Sequence, residues 1–82
     1  MLTGIQIRAA RSALYWSAEL LAEKAHLASK TVRRLESEAG VPQTTTGTLA
    51  KIQAALEAAG IEFIGTPDDG PGIRIRSTPN GV

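Results

Sequence analysis

Ser29, Lys30, Arg33 and Arg34 bring together groups that bind anions and read hydrogen-bonding edges. An arginine guanidinium can donate two hydrogen bonds to O6 and N7 of a guanine, and a lysine ammonium reaches the same atoms. Serine and threonine hydroxyls suit phosphate oxygens, as do the free backbone N–H groups at a helix start. The set therefore matches a duplex nucleic acid, with base edges in a groove and phosphates at its rim. The same residues also describe the solvated face of a small helical bundle, because helix pairs bearing two arginines are common.

No other stretch offers comparable chemistry. The chain has no cysteine, which excludes a disulfide framework and a thiolate metal site, and its single histidine, His26, cannot hold a metal alone. His26 reads as a turn residue. The glycine-rich stretch Gly65–Gly72 lacks the phosphate-cradling arrangements and no helix follows it, so it reads as a hairpin loop that also holds Asp68 and Asp69. No Asp/Glu/His constellation with a pocket appears. The expectation is a protein that is not an enzyme and carries neither cofactor nor metal.

Positioning the four polar residues falls to residues 17–36, which read as two short amphipathic helices around a three-residue break. Ser17 is the N-cap of the first, Glu19 suits its dipole, and its start offers phosphate-binding groups. That helix runs from Ala18 to about Ala25 and buries Leu20 or Leu21, with Ala22 and Ala25. His26 follows where a left-handed conformation and a glycine are usual, and Leu27 plugs the angle between the helices. The second helix runs from about Ser29 to Ser37, with Val32 and Leu35 inward and Thr31, Arg33, Arg34 and Glu36 outward. A pair joined in this way can set one of its helices against a nucleic-acid groove.

An earlier helix begins at a Thr3 cap, with Ile5, Ala9, Ala13 and Leu14 at helical spacing and Arg8 and Arg11 toward solvent. Trp16, beside Tyr15, is expected to pack over the first two helices rather than to stack on a base. Residues 38–47 form a loop broken by Gly40 and Pro42. Leu49, Ile52, Ala55, Leu56 and Ala59 mark a fourth helix that ends at Gly60.

Beyond it, Ile61-Glu62-Phe63-Ile64 and Ile73-Arg74-Ile75-Arg76 read as a β-hairpin with a longish loop. Arg74 and Arg76 lie on a solvated strand face. A lone two-stranded hairpin is marginal in water. The apolar side, made of Ile61 and either Phe63 or Ile64 with Ile73 and Ile75, is expected to be too exposed for a stable monomer and to pair two copies across a two-fold axis. Residues 1–60 thus form a helical domain, 61–76 a dimerisation hairpin, and 77–82 a frayed tail.

The 82 residues suit one domain with a modest core. The formal net charge is +1, so any affinity for nucleic acid must come from one basic face rather than from overall charge. No apolar stretch approaches the roughly 20 residues of a membrane span, and no secretory signal is visible. A soluble, cytoplasmic protein without membrane contact is the expectation.

Leu14-Tyr-Trp-Ser-Ala-Glu-Leu-Leu-Ala-Glu-Lys-Ala-His-Leu-Ala-Ser-Lys-Thr-Val-Arg-Arg-Leu-Glu36 resembles the Cro/C1-type (XRE-family) helix–turn–helix domain. Members often read Leu-Gly-Trp-Ser-Gln-x-x-Leu-Ala-x-x-Ala-Gly-Val-Ser-x-x-Thr-Ile-x-x-x-Glu. Gly40-Val-Pro42, Thr48-Leu-Ala-Lys-Ile-Gln-Ala-Ala-Leu-Glu-Ala-Ala-Gly-Ile-Glu-Phe-Ile64 and Gly70-Pro-Gly-Ile-Arg-Ile-Arg76 are similar to a short bacterial branch of that family. The resemblance implies a mainly α, four-helix, lambda-repressor-like DNA-binding domain with a C-terminal β-hairpin. It implies a dimeric, sequence-specific transcriptional regulator of double-stranded DNA. Repression is the expected sign for so small a protein.

Residue by residue, the base-reading positions match Ser29 and Lys30, and a further one matches Arg33 or Arg34. Thr31 matches a Thr or Ser that contacts phosphate or braces the helix. Val32 matches the inward Ile, and Leu35 and Glu36 the final core and acidic positions. The main departures from the pattern bear on the DNA contact and the turn. Ala18 replaces a Gln that often touches the DNA backbone, His26 replaces the turn Gly, and Ala28 replaces the cap Ser. The rival expectation is an antitoxin or protein–protein interaction module with weak or lost DNA binding and a toxin as partner. Near-zero net charge and Ala18 favour it.

Overall fold

The computed structural model describes residues 2–76. It has four helices, α1 (Gly4–Ala13), α2 (Ala18–Ala25), α3 (Ser29–Glu36) and α4 (Thr46–Ala58), followed by strands β1 (Ile61–Thr66) and β2 (Asp69–Ile75). The expected tail at 77–82 lies outside the described residues. Among the described residues, no helix is long and apolar enough to cross a membrane.

Each helix start except that of α3 is closed by a hydroxyl. The Thr3, Ser17 and Thr45 side chains accept from the N–H groups of Gln6, Leu20 and Thr48. At α3 the preceding residue is Ala28, and no side chain caps the helix. Ser29 is the first residue of that helix.

The ends of α1 and α2 share one geometry. Tyr15 N–H donates to Ser12 O at 3.0 Å and Trp16 N–H to Arg11 O at 3.0 Å. His26 N–H donates to Glu23 O at 3.3 Å and Leu27 N–H to Ala22 O at 2.8 Å. These paired bonds define the Schellman motif, whose pivot residue is left-handed and usually glycine. Here the pivots are Tyr15 at φ 58° and His26 at φ 59°.

Ile7, Leu21, Val32, Leu35, Ile52 and Leu56 are fully buried, so all four helices contribute to one core. Of the expected pair in α2, Leu21 is buried and Leu20 only half-buried. Leu27 and Trp16 are partly buried and pack against this core, as expected.

The phase expected for α1 is corrected. Ile5 is 61% exposed and Ala9 is also exposed, whereas Gln6, Ile7 and Ala10 are buried. The cause is Gln6. Its Oε1 accepts from Thr3 N–H at 2.9 Å, and its Nε2 donates to Ile64 O at 3.3 Å and Gly72 O at 3.0 Å. A polar side chain thus faces inward with its amide satisfied, which rotates Ile5 out. Gly4 fixes the same end. A β-carbon there would run into the backbone carbonyls of Leu35 and Glu38.

The hairpin differs from expectation in two ways. Its strands reach Thr66 and Asp69, so only Pro67 and Asp68 lie between them and Asp69 belongs to β2. Gly65 (φ 76°) and Gly70 (φ 62°) lie within the irregularity in register between Ile64 and Thr66, so residues that read as loop belong to the strands. The second difference concerns burial. Ile61 pairs with Ile75 and Phe63 with Ile73, and these cross-strand partners share one face. Ile61 is buried, and Phe63 and Ile73 pack partly buried against the core of their own chain. The apolar side is therefore largely covered within one chain. Ile64 is half-buried and Ile75 is 63% exposed. The sheet has two strands, so neither outer edge has a strand partner among the described residues.

Candidate nucleic-acid interface

On α3, Val32 and Leu35 are fully buried while Lys30, Arg33 and Arg34 are exposed. A helix turns by about 100° per residue, so Lys30, Arg33 and Arg34 span an arc of roughly 100° centred opposite Val32 and Leu35. Ser29 and Thr31 are half-buried at the two borders of that arc. Four of the sequence-predicted residues, Ser29, Lys30, Arg33 and Arg34, thus form one continuous surface, with Thr31 on its far margin. The core contacts of Val32 and Leu35 hold that surface outward.

Ser17 stands apart from α3, at the start of α2. Its Oγ accepts from Leu20 N–H at 3.0 Å. An ion pair between Glu19, in the first turn of α2, and Arg33 ties this helix start to the outer face of α3. The cations differ in their internal ties. Arg33 is held by Glu19, and Arg34 Nη1 donates to Gln43 O at 3.1 Å. Lys30 has no ion pair among the described residues.

The residues that hold this face in place escaped the sequence reading. Arg11 and Glu36, both expected toward solvent, form a two-point ion pair linking α1 to the end of α3. Arg11 Nε meets Glu36 Oε2 at 2.8 Å and Nη2 meets Oε1 at 2.9 Å, with side chains 20% and 8% exposed. The third nitrogen, Nη1, donates to Trp16 O at 2.9 Å. One guanidinium thereby joins α1, α3 and the corner before α2 through a planar fork that lysine does not provide. Hydrogen bonding to Glu36 holds Arg11 above its ordinary pKa, against the lowering effect of partial burial. A signal for this pair was available in the chain. Arg11 lies four residues after Ile7, on the same side of α1.

Arg8, Arg11, Arg33, Glu36 and Ser37 line a shallow concavity where α1 meets α3. Arg8 thus adds a cation beside Arg33 that the motif reading left out. Tyr15, at the α1–α2 corner, is 96% exposed, whereas the neighbouring Trp16 is half-buried with Lys24 Nζ 5.7 Å from its ring centroid. A second concavity, between the end of α2 and α4, is lined by Lys24, Ala25, His26, Lys51, Ala54, Ala55 and Ala58.

Among the described residues, no three His, Cys, Asp or Glu side chains are grouped so as to hold a metal ion. No protein-family model matches this chain, and no curated protein matches it.

Proposed function

We propose that this chain is a sequence-specific double-stranded DNA-binding protein of the Cro/C1-type helix–turn–helix kind, a bacterial cytoplasmic transcriptional regulator acting as a repressor. Its fold would be lambda-repressor-like. One observation carries the reading. A short helix, α3, is anchored through Val32, Leu35 and the Arg11–Glu36 pair, and its outer arc consists of Lys30, Arg33 and Arg34. A helix so mounted can enter a major groove with its side chains already positioned, which limits the entropy lost on binding.

In this mechanism Ser29, Lys30 and Arg34 reach base edges of a cognate site near the start and middle of α3, and on mixed-sequence DNA Lys30 and Arg34 turn to phosphates instead. Arg33 and Arg8 face phosphates on the α1 side, and Ser17 with the N-terminus of α2 takes a phosphate of the flanking backbone. Thr31 braces the margin. Arg33 would exchange Glu19 for a phosphate oxygen as the complex forms. The protein works by occupying DNA, and its small size leaves little surface for contacts with the transcription machinery.

A homodimer belongs to the same proposal. The unpartnered strand edges with exposed Ile75 and half-buried Ile64 would meet their copies across a two-fold axis, setting two α3 helices about one helical turn of DNA apart. Ile61, Phe63 and Ile73 would support that contact from beneath, because they already cover their own core.

Binding to a mixed-sequence duplex across a salt series tests the reading. The parent is expected to bind at low salt with an affinity that falls as salt rises. The double variant Lys30→Ala/Arg34→Ala should bind at least tenfold more weakly, roughly, with a salt slope shallower by about two. No binding at low salt, or an unchanged affinity in the double variant, defeats it. The second concavity favours a second reading, an interaction module or antitoxin, because its alanines and lysines lie on α2 and α4 and leave α3 unused.

A further inference from the structure

Tyr15, like the exposed His26 at φ 59°, combines two properties. Its backbone is left-handed at φ 58°, a region that glycine enters freely and a residue with a β-carbon enters against steric resistance. Its side chain gains nothing from the fold in return, being 96% exposed. The Schellman motif at the end of α1 needs only a left-handed pivot, and glycine would serve it with less strain. A strained residue with a solvated side chain marks a position where the side chain serves something outside the fold.

The surroundings indicate what that is. Tyr15 precedes Trp16, whose carbonyl is held by Arg11, and Arg11 is held by Glu36 at the end of α3. Two residues after Tyr15 comes Ser17, the cap of α2, and the first turn of α2 is tied to Arg33 of α3 through Glu19. The corner carrying Tyr15 is thus fixed to α3 at two points and adjoins the helix start proposed to bind phosphate.

We infer that Tyr15 is a backbone contact of the DNA interface. Its phenol O–H donates to a phosphate oxygen beside the one taken by the α2 N-terminus. This inference rests on the DNA-binding reading. A phosphate contact fixes register without reading sequence, so Tyr15 adds affinity for every duplex equally. A neutral phenol releases no counterion, so its contribution does not alter the salt slope. Lys30 differs on this last point.

The test compares the parent, Tyr15→Gly, Tyr15→Phe and Lys30→Ala on one mixed-sequence duplex across a salt series, with thermal unfolding of each. Tyr15→Gly is expected to raise the melting midpoint by several degrees, because the strain is relieved. It should also weaken duplex binding roughly three- to tenfold at every salt concentration, with the parent's slope. Tyr15→Phe should melt near the parent and lose most of the same affinity. Lys30→Ala should weaken binding and flatten the slope.

Parent-like affinity in Tyr15→Gly or Tyr15→Phe, with Lys30→Ala weakened, overturns the inference and leaves the DNA-binding reading standing. A lowered midpoint in Tyr15→Gly overturns it through the strain argument. A parent that binds no duplex at low salt overturns both.

Discussion

Two ion pairs meet α3, one from α1 and one from α2. Arg11 and Glu36 join it to α1 with little exposure, through two parallel contacts near 2.8 and 2.9 Å, and Arg11 spends its remaining nitrogen on a backbone carbonyl. Arg33 and Glu19 join it to α2 at the surface, with side chains 58% and 56% exposed. Both consist of an arginine and a glutamate. The difference lies in water. A pair withdrawn from solvent becomes costly to break, because either partner alone is a poorly solvated charge. A solvated pair can be exchanged for another partner at little cost. The first pair therefore fixes where α3 points, and the second leaves Arg33 free to be redirected.

The largest effect should come from breaking the inner pair. Glu36→Ala leaves Arg11 without its counter-charge and is expected to lower stability by about 2–4 kcal/mol, read by urea unfolding. Replacing both partners together, Arg11→Met with Glu36→Leu, should recover most of that loss. A Glu36→Ala protein as stable as the parent would erase the contrast between the two pairs.

Glu19→Ala should act in the opposite manner. Stability should change by no more than about 0.5 kcal/mol. Duplex affinity should rise on the order of threefold, because Arg33 no longer has to leave a partner and one negative charge leaves the face. A large stability loss would show that the outer pair is structural after all.

A third group, at the hairpin, should give the smallest effect. Glu62 accepts from Arg76 Nε at 2.7 Å and from Arg74 Nη1 at 3.2 Å. The hydrogen bond from Arg76, with the nearby charge of both arginines, holds its carboxyl below the ordinary value of 4.5. A carboxyl with a lowered folded pKa contributes stability above its ordinary value and loses that contribution as the pH falls through the folded value. The melting midpoint should therefore drop slightly more below about pH 4.5 in the parent than in Glu62→Gln. Equal acid sensitivity in the two proteins would show that this solvated cluster is energetically silent.

The same contrast explains which features could be read from the chain. Thr3 and Ser17 announced their helices because a cap is a local rule, one hydroxyl and one N–H three residues on. Val32 and Leu35 announced the inner side of α3 for a similar reason, being apolar at helical spacing. Gln6 inverted the phase of α1 because its amide bonds carbonyls in residues 64 and 72, far away in sequence. Glu36 reads as a solvated residue because Arg11, its partner, lies on another helix. Gly65 and Gly70 read as loop because an irregularity in a ladder looks like a loop when written in one dimension. Of the candidate site, the polar residues were legible as types at a spacing. Of the clamp behind them, only the inward side of Arg11 is legible, from its spacing to Ile7; its partner depends on how α1 and α3 pack.

The most direct test of the central claim maps the surface that meets DNA. Backbone amide resonances of the protein, followed by NMR while a mixed-sequence duplex is titrated in at low salt, report that surface residue by residue. The account predicts shifts concentrated at residues 15–19 and 29–37, with β1 and β2 little changed. Shifts confined to residues 61–76, or none at all, would contradict it.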